Sequence, residues 1–438
     1  MTSLPLGLHD PVFMMSSLRG EAPFRLGGAT EIGWSVPWFY ESGTKDHSMP
    51  EPKEYEEYAR ALSTLPTIDI LKQLGSAPTD YENWISRNPA DPWFDRIGFL
   101  REDAAVNTPT LFVNSWYDVG SADALHQRRV FRAGAQTEQA RRHQHIILAP
   151  GQHCSTEKLE NPTVVVGRDL GDARIDAWQI YLNWFDCWLN ENPQRIETLP
   201  QVQYYVMGRN EWRTADDWPP PGVELQRWYL RSKGHANTRL GDGTFGTEPP
   251  QADEPADTFI YDPGNPTPAH GAQSGDVTEA GNRPDIQEVT TRQDILCFTT
   301  EPLPAGLEVT GFIKAVLYVS SSAPDTDIVA KLVDVYPDGR AFDVTTGILR
   351  LRYREGFDRA LMMKPDQVYR VEVELDATSN WFAPGHQMRL QIASAEFPRI
   401  DRNLNTGGNN FDETTWALAH NTVHHRTEFP SHVLLPTT

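Results

Sequence analysis

The sequence is poor in cysteine, with only Cys154, Cys187 and Cys297 among 438 residues. Such an odd and sparse set argues against a disulfide framework and is typical of a reducing cytoplasm, which is the expected localisation. No apolar run approaches the roughly 20 residues that a membrane-spanning helix needs. Residues 1–11 contain no basic stretch followed by an apolar core, so no secretory signal peptide is expected.

Positive charge is also scarce, because 39 Lys and Arg residues face 60 Asp and Glu residues and give a formal net charge of -21. An acidic chain of this kind should repel nucleic acid and anionic membranes, so neither is an expected partner. By contrast, the 13 Trp and 34 Pro residues predict many loops and aromatic-lined surfaces rather than a plain helical bundle.

Two short apolar runs each end in a residue that can ionise. Residues 109–118 end in Asp118, and residues 145–153 end in His153. Both runs are typical of buried parallel strands, and in open α/β sheets the carboxyl edge of the strands carries the chemistry. An acid followed by a histidine is the order in which an α/β-hydrolase supplies the last two members of its triad. Asp118 and His153 are therefore the candidate catalytic residues.

The first zone of the chain, residues 1–100, has a helical and irregular pattern that favours an inserted helical cap. Residues 55–62 and 68–74 fit amphipathic helices, and loops rich in Pro, Asn and Trp separate such segments. Residues 31–40 are strongly aromatic and include Trp34 and Trp38. This aromatic cluster either lines a pocket beneath the cap or belongs to its core, and the sequence leaves both interpretations open.

The second zone, residues 101–217, alternates strands with helices and predicts a parallel sheet flanked by helices. Its clearest helix is expected over residues 174–189. Apolar residues recur there at intervals of three and four and form one stripe: Ile175, Trp178, Leu182, Phe185 and Leu189. The proline run within residues 218–222 is the best linker candidate, because prolines cannot continue a helix or a central strand.

The third zone, residues 218–438, loses the helical pattern. Short runs with β-branched residues alternate with turn residues, at positions 227–230, 309–319, 328–335, 347–353, 369–375 and 387–393. This pattern is typical of a β-sandwich or jelly roll. The predicted fold class is therefore α/β: a partial α/β-hydrolase domain with a helical cap, followed by a β-sandwich (jelly-roll) domain.

Several short motifs occur in a fixed order over most of the chain. They are Gly33-Trp34-Ser35, Trp116-Tyr117-Asp118, Val206-Met207-Gly208 with Glu211-Trp212-Arg213, the segment 258–263, Asp325-Thr326-Asp327 with the segment 331–335, and Phe397-Pro398-Arg399 with Asp401-Arg402-Asn403. Through these motifs the chain resembles the serine hydrolases typified by bacterial cocaine esterase, the glutaryl and cephalosporin acylases, and the X-Pro dipeptidyl-peptidases. The similarity begins near residue 8 and runs almost to the end.

The resemblance implies a function as well as a fold. It makes Asp118 the triad acid, His153 the triad base and Trp34 a neighbour of the acyl pocket. Trp38 and Tyr117 join Trp34 as candidate substrate-binding residues. The implied substrate is a small ester, an amide or a peptide, and neither a cofactor nor a metal is expected.

The sequence departs from the family at the nucleophile. The family carries its serine on a Gly-x-Ser-x-x-Gly elbow upstream of the cap, whereas the only Gly-x-Ser here is Gly33-Trp34-Ser35, followed by Val36 and Pro37. Because an elbow needs small residues, Ser35 is interpreted as a cap residue. Ser115 and Ser121 lie beside the acid without an elbow, and Cys154 is interpreted as a small bystander. The chain therefore resembles a member that lacks the nucleophile-bearing first part.

Three functions remain open from the sequence. The first is hydrolysis of ester or amide bonds through a Ser–His–Asp triad. The second is a binding or scaffold role for a catalytically incomplete homologue, with a lectin-like role of the jelly roll as a variant. The third is one half of a split hydrolase, whose partner chain supplies the serine; a homodimer is also expected from the relatives. A truncated sheet would expose apolar edges, which predicts poor solubility or obligate association.

Overall fold

The structure is a computed structural model that describes residues 24–97, 100, 102–118, 120–269 and 289–438. Residues 1–23 of the predicted cap region lie outside the described residues. Along the chain, a helical region comes first, a four-stranded sheet with flanking helices second, and a large β-rich region last. Within the described ranges, no helix combines the length and the apolar character that crossing a bilayer requires.

The helical region is built from short helices around an aromatic core. Its elements are the hairpin β1 (Arg25–Leu26) and β2 (Ala29–Thr30), the helices α1 (Ile32–Ser42), α2 (Tyr55–Leu62), α3 (Ile70–Gln73) and α4 (Tyr81–Ile85), and 3₁₀ turns at Thr67–Asp69 and Pro92–Ile97. Val36, Tyr81 and Trp84 are among the buried side chains that hold these elements together. Helix α2 has the predicted bounds. The helix predicted over residues 68–74 is instead a 3₁₀ turn followed by α3, and Gly75 ends it with a φ of +69°.

The middle of the chain forms a mixed sheet with helices. Its elements are β3 (Thr110–Ser115), α5 (Ser121–Ala133), α6 (Glu138–Arg142), β4 (Gln144–Ala149), the hairpin β5 (Val164–Val165) and β6 (Arg168–Asp169), α7 (Ala177–Leu189), β7 (Val202–Val206) and β8 (Glu211–Ala215). The four-stranded sheet has the order β3–β4–β7–β8. The first three strands are parallel and β8 is antiparallel, which confirms the predicted parallel pairing of the two apolar runs.

Helix α7 does not bury the face that its pattern indicated. Trp178, Leu182 and Leu189 of the predicted stripe are 64%, 64% and 60% exposed. The buried residues lie on the adjoining face, where they pack against Leu111 of β3 and Ile147 of β4: Ala177, Tyr181, Trp184 and Cys187. The helix is apolar on both faces, so the periodicity alone could not determine which one meets the sheet.

The described residues of the β-rich region form eleven strands in one sheet. They are β9 (Glu224–Arg231), β10 (Thr244–Gly246), β11 (Asp257–Tyr261), β12 (Leu296–Thr299), β13 (Leu307–Ser321), β14 (Asp327–Val335), β15 (Ala341–Arg350), β16 (Tyr369–Phe382), β17 (Gln387–Ala393), β18 (Ala419–His424) and β19 (His432–Thr437). Their order is β11–β18–β13–β19–β9–β10–β12–β17–β14–β15, with β16 paired to β13. The strand predicted over residues 347–353 ends at Arg350, and Leu351–Tyr353 form a 3₁₀ turn.

Strands β14 and β15 are buried along their whole length, although they contain charged residues. One reason is that ion pairs neutralise these charges: Arg350 contacts Asp327 at 2.9 Å and Asp401 at 3.0 Å, and Lys331 contacts Glu396 at 2.9 Å. The covered faces explain why simple alternation of polar and apolar residues does not describe these two strands.

The segment between β8 and β9, residues 216–223, contains no helix or strand and includes the proline run. It therefore separates the middle sheet from the β-rich region along the chain. The three domain limits expected from the sequence, 1–100, 101–217 and 218–438, stay a prediction.

Candidate active site

Asp118 and His153 follow neighbouring parallel strands, and the structure brings their side chains together. Strands β3 and β4 stay in register up to Ser115 opposite Ala149, so the segments that leave them start side by side. His153 Nδ1 lies 2.9 Å from Asp118 Oδ1, a hydrogen-bond distance. The aspartate side chain is 5% exposed and the histidine side chain 26% exposed. The carboxylate is thus shielded while the imidazole meets solvent.

Backbone hydrogen bonds join the two turns that carry this pair. The Trp116 N–H donates to the carbonyl of Ala149 at 2.8 Å, and the Tyr117 N–H donates to the carbonyl of Gly151 at 3.2 Å. These bonds fix the two turns relative to each other without help from the side chains of Asp118 and His153. The distance between carboxylate and imidazole is therefore a property of the scaffold.

Helix α5 begins just beyond the aspartate, and the β-rich region holds its start. Asp376 of β16 accepts hydrogen bonds from the Ser121 hydroxyl at 3.0 Å and from the Ala122 N–H at 2.7 Å. A carboxylate at this point satisfies an N–H that has no partner within the helix, and the helix dipole favours its charge. The turn with Asp118 is consequently anchored on a different region of the molecule.

Trp34 lies against the imidazole. Its ring meets that of His153 edge to face, with the centroids 5.1 Å apart and an interplanar angle of 74°. The helix that carries Trp34 sits close to the β-rich region, because the Gly33 N–H donates to the carbonyl of Arg399 at 3.0 Å. A Cβ atom at Gly33 would lie 3.1 Å from Arg399 Cα, so glycine permits this approach. Trp34 therefore contacts the candidate base, and its place beside an acyl pocket stays a prediction.

Trp38 lies one turn further along α1, on the same side of the helix as Trp34. It is 47% exposed, and its ring packs against Phe24 with the centroids 6.4 Å apart. Trp38 thus has an accessible aromatic surface. Its role in substrate binding stays a prediction.

Tyr117 is placed differently from the expectation. Its side chain is buried, and its hydroxyl donates to the carbonyl of Asp343 at 3.1 Å and accepts a bond from Arg168 at 3.0 Å. Burial raises the pKa of Tyr117 to about 12. Arg168 in turn contacts Asp334 of β14 at 3.0 Å. Tyr117 therefore braces the turn against the β-rich region, and its role in substrate binding stays a prediction.

Cys154, interpreted from the sequence as a bystander, contacts the candidate base. Its Sγ atom lies 3.4 Å from His153 Nε2, the ring nitrogen opposite the one that faces Asp118. The thiol is exposed, and the residue has a left-handed backbone with a φ of +51°. Non-glycine residues seldom adopt this conformation. The sequence around Cys154 does not predict it. Only the adjacency of His and Cys in a turn after a strand could have suggested the contact.

The serines considered from the sequence have other surroundings. Ser35 lies inside helix α1 and is fully buried, and its hydroxyl has no hydrogen-bond partner among the described residues. Ser115 Oγ lies 3.2 Å from the hydroxyl of Thr156, and Ser121 donates to Asp376. The Gly-x-Ser sequence around Ser35 is therefore part of a helix and not a strand-to-helix elbow.

The part of the chain that the structure describes contains no group of three His, Cys, Asp or Glu side chains arranged to hold a metal ion. An imidazole held by a carboxylate on one nitrogen can act as a base or an acid on the other.

Comparison with known proteins reveals similarity to hydrolases. The family model that matches is described as the X-Pro dipeptidyl-peptidase C-terminal non-catalytic domain, and it matches residues 194–434. Cocaine esterase of Rhodococcus sp. (strain MB1 Bresler) is 36% identical over 379 residues, which make up 84% of this chain. The match spans 61% of that esterase's own length.

Two solved structures share the fold. An aminopeptidase from a marine sediment archaeon, Thaumarchaeota archaeon, is similar with a TM-score of 0.78 and 23% identity, over 97% of this chain and 70% of that one. An α-amino acid ester hydrolase is similar with a TM-score of 0.78 and 22% identity, over 94% of this chain and 69% of that one. The structure is thus a hydrolase fold with a large β-rich C-terminal region.

Proposed function

Because the chain belongs to the hydrolase family that contains cocaine esterase and the X-Pro dipeptidyl-peptidase C-terminal domain, we propose that it hydrolyses ester or amide bonds through a Ser–His–Asp triad. Asp118 and His153 are the acid and the base of that triad. The observation that carries the proposal is the 2.9 Å contact between His153 Nδ1 and Asp118 Oδ1, set by backbone bonds between the two turns.

The roles of the two residues follow from this geometry. With a proton on Nδ1 facing Asp118, the lone pair of His153 Nε2 removes the proton of a serine hydroxyl as it attacks the acyl carbon. The imidazolium then gives that proton to the leaving alcohol or amine. Asp118 fixes the tautomer throughout and stabilises the imidazolium. A water molecule, deprotonated by His153 in the same way, then attacks the acyl-serine and releases the carboxylic acid.

None of the serines in these 438 residues is recognisable as the nucleophile. We infer that other residues supply it. The match to cocaine esterase leaves part of that enzyme's length uncovered, and Ser35 sits inside a helix. Among the described residues, β3 pairs only with β4, so one edge of the middle sheet is open to further strands. We infer that such strands carry the nucleophile elbow and an oxyanion donor, on the same polypeptide or on a partner.

The finer architecture belongs to the same proposal. The middle sheet is the distal part of an α/β-hydrolase domain, the helical region is its cap, and the β-rich region is a jelly roll. Trp34 and Trp38 border the bound acyl group, because both lie on the side of α1 that includes the contact with His153. The substrate is a small ester, an amide or a peptide, the assembly is a homodimer or a complex with a partner chain, and the compartment is the cytoplasm.

The test measures hydrolysis of p-nitrophenyl acetate by the chain alone and by the chain extended with any in-frame sequence upstream in its gene. The extended form should turn over, and His153→Ala should lower its kcat by about 10⁴-fold or more. Turnover that survives His153→Ala contradicts the proposal. Absence of turnover in both forms, when circular dichroism shows folded protein, contradicts a serine on the same polypeptide and leaves a partner chain or a scaffold role.

A further inference from the structure

The site contains a second potential nucleophile, which is already in contact with the candidate base. Cys154 Sγ lies 3.4 Å from His153 Nε2, while His153 Nδ1 lies 2.9 Å from Asp118 Oδ1. The imidazole therefore contacts the thiol through one ring nitrogen and the carboxylate through the other. A thiol next to an imidazole that a third group orients is the arrangement that activates cysteine as a nucleophile.

The other two cysteines of the chain provide the contrast. Cys187 and Cys297 are buried, and burial raises the pKa of both thiols, that of Cys297 to about 12. Cys154 is exposed, so reagents reach it from solvent. Only Cys154 thus combines access with a contact to an imidazole.

The local backbone explains how consecutive residues can touch in this way. Neighbouring side chains in an extended strand point to opposite faces. The left-handed conformation of Cys154, with its φ of +51°, breaks this alternation just beyond the strand and brings the thiol back to the ring of His153. Strained conformations of this kind persist where the surrounding structure determines them.

The sulfur of Cys154 interacts electrostatically with ionisable groups around it. The pKa of Tyr181 on α7 is raised by burial, by its hydrogen bond to Glu157 and also by charge on Cys154. The ionisable groups around the thiol are therefore His153 on one side and the Tyr181–Glu157 pair on another.

We propose that Cys154 is a nucleophile of this chain and that it takes an acyl group from an activated ester. The thiol proton moves to His153 Nε2, and Sγ attacks the acyl carbon. The bond to the alcohol oxygen breaks, and the imidazolium returns the proton to that oxygen. The products are an acyl-thioester on Cys154 and the free alcohol, so no further reactant is needed.

This reaction is separate from the proposed hydrolysis. It requires no serine, no oxyanion donor and no additional strands, only the three side chains that the structure brings together. A single acylation at Cys154 can thus occur in a chain that does not turn over. Both reactions use His153, and the test must distinguish them.

The experiment uses the full chain and two probes, iodoacetamide and p-nitrophenyl acetate, with peptide mass mapping of the adducts. Both probes should label Cys154 in preference to Cys187 and Cys297, and the acetyl adduct should be released by hydroxylamine as a thioester is. His153→Gln should slow labelling of Cys154 on the order of a hundredfold. Asp118→Asn, which keeps the imidazole, should slow it less. Cys187→Ala, a substitution at a buried thiol, should leave the rate at Cys154 unchanged.

Equal labelling rates in the parent chain and in folded His153→Gln would overturn the proposal, and so would an acetyl group on any other residue. If His153→Gln does not fold, Asp118→Asn provides the test. A labelling rate of Cys154 equal to the parent's would show that Asp118 does not act on the thiol through His153, and would overturn the proposal. If Cys154 is labelled in the extended protein but the ester is not turned over, only the proposed hydrolysis is contradicted. Turnover that depends on His153 beside an unreactive Cys154 sinks only the thiol nucleophile.

Discussion

Among the histidine–aspartate pairs of the described residues, His153–Asp118 and His425–Asp257 have almost the same separation and opposite surroundings. At the candidate site, His153 and Asp118 are 2.9 Å apart and the imidazole is 26% exposed. In the β-rich region, His425 Nε2 lies 2.8 Å from Asp257 Oδ2, and both side chains are fully buried. Of these two pairs, only the first meets solvent, so burial distinguishes the candidate catalytic pair from one enclosed in the fold.

The pairs also differ in the ring nitrogen that the carboxylate occupies. Asp118 takes Nδ1 and leaves Nε2 directed to a nucleophile. In the buried pair, the Ser232 hydroxyl lies 3.1 Å from His425 Nε2 and 2.6 Å from the same Asp257 oxygen that contacts that nitrogen. A proton therefore cannot pass from this hydroxyl to Asp257 through the ring, because both groups share one nitrogen; the carboxylate nearest the other nitrogen is that of Glu254, at 3.5 Å. A serine, a histidine and an aspartate in contact therefore do not make a triad unless they occupy opposite nitrogens.

The largest expected effect comes from removing each carboxylate. Asp118→Ala, in the extended enzyme that turns over, should lower kcat by about 10⁴-fold, because the imidazole loses its tautomer and its charge partner. The free energy of unfolding should fall by only about 1 kcal/mol, since His153 can be hydrated. Ester kinetics and urea unfolding measure the two quantities.

Asp257→Ala provides the matched variant in the buried pair. It should lower the free energy of unfolding by about 3 kcal/mol or more, because His425, Ser232 and the Ala236 N–H lose their acceptor inside the sheet. Its kcat below the melting temperature should equal that of the parent. A loss of activity in folded Asp257→Ala similar to that of Asp118→Ala would break the distinction between the two pairs.

An effect of intermediate size concerns a buried imidazole without a carboxylate. Burial lowers the pKa of His145 from 6.5 to about 4, and its Nδ1 lies 2.8 Å from the carbonyl of Pro200. Since the folded pKa lies below the unfolded one, the contribution of His145 to stability is complete above pH 6.5 and is lost as the pH falls to about 4. The loss should amount to about 3 kcal/mol.

Urea unfolding at neutral pH and near pH 4 measures this loss. His145→Gln should show a pH dependence smaller by that amount, whereas His47→Gln, at an exposed position, should retain the parent's dependence. If the two variants show the same pH dependence of unfolding, burial of His145 is not the source of the protein's loss of stability in acid. The contrast between His145 and the histidines paired with carboxylates would then not hold.

The smallest effect is expected at the ring that borders the site. Trp34→Ala removes an edge-to-face contact with His153, of a kind that contributes about 1 kcal/mol. The value of kcat/KM for the ester should therefore fall roughly fivefold. Trp416→Ala, which removes a half-exposed ring from the β-rich region, is the control and should leave kcat/KM unchanged. Equal losses in both variants would mean that Trp34 acts only through the fold.

The sequence predicted the pair at the site because parallel strands place their carboxyl ends on one edge. Two apolar runs, each followed by an ionisable residue, were enough to bring Asp118 and His153 together. Helix α2 was predicted with its observed bounds, since its buried positions recur at helical spacing. These successes depend on local periodicity and on one rule of sheet geometry.

The features that the sequence did not predict depend on contacts between distant segments. Tyr117 is buried because Asp343 and Arg168 meet its hydroxyl, and nothing in the sequence near Tyr117 indicates these partners. The proline at position 37 would end most helices, yet α1 continues through it. The contact of Cys154 depends on a rare backbone conformation. Each of these features is set by the tertiary structure and not by the local pattern.

The anchoring of helix α5 has a consequence for how the protein is made. The acceptor Asp376 lies 254 positions after Ala122, so the ribosome must add those residues before the helix start is capped. At about 5–20 residues per second, the delay is roughly 10–50 seconds. During that interval the turn with Asp118 lacks its anchor in the nascent chain. The candidate catalytic acid therefore acquires its final support late, and a polypeptide released before strand β16 is translated would never acquire it.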